Sequence, residues 1–106
     1  MATLTFSILG YPFVFPDMIG GNAQKKTPSR DLYVRWTQLC VFLPGMQFSL
    51  PPWNYDDEVL SIIRNALNLR KEMSRYLINL ALNVEKYGEP IIRPMWWYML
   101  RMNKPC

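Results

Sequence analysis

Asp17 is the residue whose type and placement best suit chemistry. It closes the aromatic and β-branched run Tyr-Pro-Phe-Val-Phe (11–15), and Met-Ile-Gly-Gly-Asn follows it. A run of that kind reads as a short strand, and binding groups in α/β proteins gather where parallel strands end. Gly20-Gly21 lets the backbone approach a neighbour closely or take a positive φ. A carboxylate there can hydrogen-bond a polar ligand, or it can simply cap a turn. Three further residues lie in or just past a second short run, Met46 to Leu50. Gln47 and Ser49 alternate along it, and Trp53 comes just past Pro51-Pro52. An indole there can stack on a flat apolar ligand face or pack within the protein.

The other chemical groups are less promising. Asp31, Asp56, Asp57 and Glu58 fall in first turns of helices, where acidic groups suit the dipole. Cleavage of a glycosidic bond needs two carboxyls about 5–9 Å apart, and Asp17 alone has a suitable placement. No catalytic pair is therefore expected within this chain. There is no histidine, which removes His-based metal sites, Ser-His-Asp triads and Cys-His dyads. Cys40 and Cys106 are far apart and form no CxxC, so neither a disulfide framework nor a zinc site is expected. No metal and no cofactor are implied. Trp36 and the Trp96-Trp97 pair read as packing residues, and the seven methionines as gap fillers.

The elements that must position Asp17 can be read from their ends. Residues 2–9 form the end of a helix or a short strand, stopped by Gly10. Ser29 is an N-cap for a helix whose apolar face is expected to be Leu32, Trp36, Leu39 and Cys40. Pro44-Gly45 breaks the chain before the second strand. Asn54 or Asp56 caps a long helical pattern through Val59, Ile63, Ala66, Leu77 and Val84, with a bend expected at 68–71 and a stop at Gly88. Strand, helix, strand is a βαβ unit, which implies a parallel pair. Such a pair needs more strands and a covering on both faces. The expectation is therefore a piece of a larger α/β protein.

The chain has 106 residues, 50% of them apolar and 19% charged, a composition that argues against disorder. No apolar run approaches the about 18 residues of a membrane span. The N-terminus lacks the basic region and cleavage site of a signal peptide. The net charge of +4 is scattered rather than gathered in a stripe, so no nucleic-acid partner is expected.

The run GYPFVFPDMIGGN, then SRDLYVRWTQLCVFLPGMQFS, then PPW, then YGEPIIRPMWW resembles glycoside hydrolase family 31 over residues 2–97. Members carry Gly-x-Pro…Asp-x-x-Gly-Gly, an Arg-Trp-x-Gln helix, a Pro-centred turn and a Gly-x-Pro-x-x-Arg-Pro exit. The DMIGGN and MQFS versions resemble an animal branch of the family most.

The resemblance implies an α/β fold, a partial TIM (β/α)8 barrel comprising the last two βα units. Residues 11–16 are the implied seventh strand and 46–50 the eighth. Residues 1–88 are then the barrel segment, and 89–106 an exit toward a β-sandwich domain, with a tail that diverges from about 98. The implied activity is retaining hydrolysis of terminal α-glycosides. The implied nucleophile and acid/base aspartates lie upstream of residue 1, so the chain reads as a truncated product that is inactive alone. Asp17 matches a substrate-binding aspartate, with Trp53, Ser49 and Gln47 nearby. Many members have Arg and His where Gln47 and Ser49 stand, which implies an altered sugar preference that an α-galactoside fits. The implied partners are a carbohydrate and the rest of the barrel, and the implied location is the secretory pathway or ER lumen. The alternative function is a non-catalytic protein-interaction module or pseudoenzyme fragment.

Overall fold

In the computed structural model, the described residues are 2–22 and 26–102. They form four helices: α1 (Ala2–Ile8), α2 (Arg30–Cys40), α3 (Asp57–Tyr87) and α4 (Met95–Met102), with one 3-10 turn at Pro52–Asn54. The partial (β/α)8 barrel expected from the sequence is not what the chain builds. Among the described residues there is no strand, and the segments 11–16 and 46–50 form no ladder. What remains of the expected pair is one isolated parallel bridge between Ile19 and Phe48.

The physical reason lies in the segments themselves. Pro12 and Pro16 have no N–H to donate, which removes two rungs from any ladder along 11–16. Parallel pairing is the weaker kind per residue, and two strands alone are marginal in water. Tyr11, Phe13 and Phe15 stay exposed, so no burial offsets the entropy of ordering a strand.

The helices follow their caps. The Ser29 Oγ accepts the Leu32 N–H at 3.3 Å, and Asp56 Oδ1 accepts the Val59 N–H at 3.0 Å. Each satisfies one of the orphan donors of a first turn. α3 ends where Gly88 takes φ +66° and donates its N–H to the Val84 carbonyl at 2.8 Å. Only glycine holds that left-handed stop without strain. α3 runs unbroken through 68–71, so the expected bend is absent. Leu69, Arg70 and Lys71 are strong helix formers, and no Pro or Gly interrupts the stretch.

Of the α2 face expected to be buried, Cys40 is buried and Trp36 packs against the core, but the inward face is rotated away from Leu32 and Leu39. Tyr33, Thr37 and Cys40 are buried, while Leu32 and Leu39 are exposed. A polar Thr hides inside because its Oγ1 donates back to the Tyr33 carbonyl at 2.9 Å. The core joins Ile19, Tyr33, Cys40, Val59 and Ile63, with Trp36, Phe48, Leu50 and Tyr55 packed around it. Arg30 ties the two helix starts together by reaching Asp56 at 2.9 Å and also Glu58.

Candidate functional site

Asp17 sits at an exposed position, where its Oδ1 accepts the N–H of Met18 at 2.8 Å. A tight turn follows at once, with the Gly21 N–H donating to the Met18 carbonyl at 2.8 Å. Gly20 occupies the third place of that turn with φ +103°, a place that favours glycine. A Cβ there would stand 2.6 Å from Leu50 Cβ and 2.8 Å from Ser49 Oγ. The turn therefore lies directly against the segment 46–50.

That contact is made by backbone and one hydroxyl. The Ile19 N–H donates to the Gln47 carbonyl at 2.9 Å, and the Ser49 N–H donates to the Ile19 carbonyl at 3.0 Å. The Ser49 Oγ donates to the Gly21 carbonyl at 2.6 Å and lies 3.1 Å from the Ile19 carbonyl. Gln47 thus contributes its carbonyl to the junction, and its residue position is exposed. Just beyond, Pro52 opens the 3-10 turn that presents Trp53, whose residue is 73% exposed.

Ser49 and Trp53 meet along one open groove of about 370 Å³, walled by Phe48, Pro51, Pro52 and Leu67. Of the four residues singled out from sequence, these two share a cavity. Asp17 does not line the groove but is hydrogen-bonded to the turn that Ser49 holds. The groove offers an apolar wall, an indole and a hydroxyl, which suits a ligand with one flat face and polar edges. The acids of the helix starts are engaged elsewhere. Asp31 pairs with Arg35 at 3.0 Å, and Asp56 and Glu58 pair with Arg30. Among the described residues no group of three or more His, Cys, Asp or Glu is placed to hold a metal.

Sequence reasoning missed the groups that support this junction. Tyr33 is fully buried, donates its hydroxyl to the Leu50 carbonyl at 2.6 Å, and lies 4.5 Å ring to ring from Tyr55. Burial first, and Tyr55 beside it, push the Tyr33 phenol up to about 12. The Tyr55 hydroxyl in turn donates to the Pro28 carbonyl at 2.8 Å, and burial pushes its phenol up as well. Arg70 spans from α3 to the end of α2, donating to the carbonyls of Val41, Leu43 and Pro44. Burial pulls its pKa down, and the guanidinium satisfies three carbonyls of the turn that follows α2. A signal for it was present: Arg70 continues the buried stripe of Ile63 and Ala66 at helical spacing, where a charge needs a partner.

The model of the family described as the glycosyl hydrolases family 31 TIM-barrel domain matches residues 1–80. A myogenesis-regulating glycosidase of Mus musculus is 47% identical, across 91% of this chain and 15% of its own length. That relative belongs to the animal branch that DMIGGN and MQFS resemble. An alpha-xylosidase of Lactiplantibacillus pentosus is 32% identical over 88% of the chain and 13% of its own length. A lysosomal alpha-glucosidase of Rattus norvegicus is 33% identical over 88% and 10%. The chain thus spans about a seventh or less of the relatives it matches.

Proposed function

The chain belongs to glycoside hydrolase family 31, and from that premise we propose that it supplies sugar-binding residues to an enzyme that hydrolyses terminal α-glycosidic bonds. The carrying observation is the 47% identity to a glycosidase across 91% of the chain. The names of two further relatives, an alpha-xylosidase and an alpha-glucosidase, support an α-linked substrate.

In this reading Asp17 accepts hydrogen bonds from sugar hydroxyls through its exposed carboxylate. A carboxylate acceptor is stronger than a neutral one and favours a polyol over an apolar ligand. Trp53 stacks on the apolar face of a sugar ring, and Gln47 and Ser49 border that site. The nucleophile and the acid/base aspartates, which would act through a covalent glycosyl-enzyme, come from the remaining length of the catalytic domain. Residues 1–88 go with that domain, and 89–106 form the exit toward the next one. Passage through the secretory pathway fits a relative named as lysosomal.

Two measurements test this reading. Aryl α-glucoside, α-xyloside and α-galactoside are offered to the pure 106-residue chain, which is expected to turn over none of them. Turnover abolished by Asp17→Ala would overturn the assignment of the catalytic groups to other residues. Methyl α-glycosides are then titrated in, and Asp17→Ala is expected to weaken binding about 10- to 100-fold, the worth of a charged hydrogen bond. An unchanged affinity would remove Asp17 from the site.

A second reading is favoured by exposed apolar surface. Tyr11, Phe13 and Phe15 are each at least 60% exposed, and the radius of gyration is 16.2 Å. A compact chain of about 100 residues has a radius near 13 Å. The surface is that of a module that associates with another protein. A defined, concentration-dependent oligomer in sedimentation supports this reading, and a stable monomer opposes it.

A further inference from the structure

The family resemblance read from the sequence makes Ser49 a candidate sugar contact, but its hydroxyl proton is directed elsewhere. The Ser49 Oγ donates to the Gly21 carbonyl at 2.6 Å. Gly21 donates its N–H to the Met18 carbonyl at 2.8 Å. Met18 donates its N–H to Asp17 Oδ1 at 2.8 Å. Three consecutive hydrogen bonds therefore run from the hydroxyl to the carboxylate across one four-residue turn. The second segment is held in register by the Ile19–Phe48 bridge. Gly20 makes the approach possible, since any Cβ there would meet Ser49 and Leu50.

We infer that Ser49 is a positioning residue: its hydroxyl latches the Met18–Gly21 turn and thereby sets the orientation of the Asp17 carboxylate. The functional part of this inference rests on the reading that Asp17 meets the sugar. A hydroxyl has one proton, and a short bond to a carbonyl commits it. Toward the groove Ser49 offers lone pairs alone, so it discriminates among sugars through Asp17 rather than by donating to them. The latch is also local. The middle of the turn is anchored independently, since Ile19 is buried in the core and its N–H and carbonyl pair with the backbone of Gln47 and Ser49. Losing the hydroxyl bond should therefore loosen the Met18 and Gly21 ends while Val59 and Ile63 keep their packing.

The test uses the ¹⁵N-labelled 106-residue chain, its Ser49→Ala and Ser49→Thr variants, and NMR. Ser49→Ala is expected to shift the Met18 and Gly21 amide resonances and to speed their hydrogen exchange about five- to tenfold, the loss of one ordinary hydrogen bond. Val59 and Ile63 stay unmoved, and Ser49→Thr, which keeps the hydroxyl, restores both signals. An unmoved Met18 amide in Ser49→Ala overturns the latch. If Ser49→Ala loses the dispersion of the core signals, Ser49→Val is compared with Ser49→Thr, which matches it in shape and keeps the hydroxyl, and Met18 is expected to move in Ser49→Val alone. An unmoved Met18 there overturns it equally.

Methyl α-D-glucopyranoside and methyl α-D-xylopyranoside are then titrated into Ser49→Ala, Asp17→Ala and the double variant. Ser49→Ala is expected to weaken binding in the presence of Asp17 and to add nothing in its absence. An equal loss in both backgrounds means that Ser49 touches the sugar itself, and the positioning role falls. If Asp17→Ala leaves binding unchanged, the sugar-site reading fails, while the Met18 signature still decides the latch.

Discussion

Along α3, Val59, Ile63 and Ala66 are buried against α2 and the turn after Asp17, whereas Ile78, Leu82 and Tyr87 are each 59% exposed. Both halves carry apolar residues at helical spacing, and both lie in one continuous helix. The difference is in what faces them. The first half meets Tyr33, Cys40 and Ile19, which present a matching apolar surface. The second half borders a shallow cavity of about 220 Å³ with Phe13, Pro44 and Ile91, and its stripe residues Leu77 and Val84 are half-buried rather than enclosed. Amphipathic pattern is thus enough to make a helix but not to bury it.

The contrast can be tested by weakening each side in turn. The largest effect is expected from Ile63→Ala, which opens a cavity in the packed half and should cost about 2–5 kcal/mol in a urea titration. A loss under about 1 kcal/mol would mean that the two halves are equally loose. Arg70→Met should cost about 1.5–3 kcal/mol, because it frees the three carbonyls that Arg70 caps at the boundary between the halves. A neutral result would show that water replaces the guanidinium there.

Alkaline pH should loosen the packed half selectively. The folded state holds the Tyr33 proton up to about pH 12, while an unfolded chain releases it near pH 10. Stability from this group is therefore complete below about pH 10 and is lost as the pH rises toward about 12. Tyr33→Phe should flatten that part of the thermal-melting profile, and an unaltered slope would assign the loss to another group. Asp56→Ala removes the cap of α3 together with the Arg30 contact and should cost about 1 kcal/mol. Leu82→Ala, on the uncovered half, should change stability by less than about 0.5 kcal/mol in the same titration. A cost like that of Ile63→Ala would show that this half is covered in solution.

The outcome for the sequence reading divides along the same line. Ser29 and Gly88 were legible as helix ends, and Asp56 as one of two caps considered for α3, because capping acts within about four residues. Family 31 was legible because several segments match together, and no packing is needed to see that. The strands at 11–16 and 46–50 were expected from aromatic and alternating residues, yet a ladder requires a partner, and composition does not supply one. The inward face of α2 was misplaced by about one residue. Leu32 and Leu39 look more apolar than Tyr33 and Thr37, but Tyr33 has a carbonyl to reach and Thr37 satisfies its own hydroxyl. Arg70 was overlooked because its partners lie 26 to 29 residues away.

By itself, then, the sequence determined the start of α2, the stop of α3 and which family the chain joins. Those features rest on contacts between near neighbours or on the residues as written. Tertiary structure alone decided that Ile19 meets Phe48, that Tyr33 faces the core and that the Ser49 hydroxyl closes on Gly21. Each of these pairs or packs groups far apart in the chain. Their geometry depends on which surfaces are buried first and which polar atoms then need a partner.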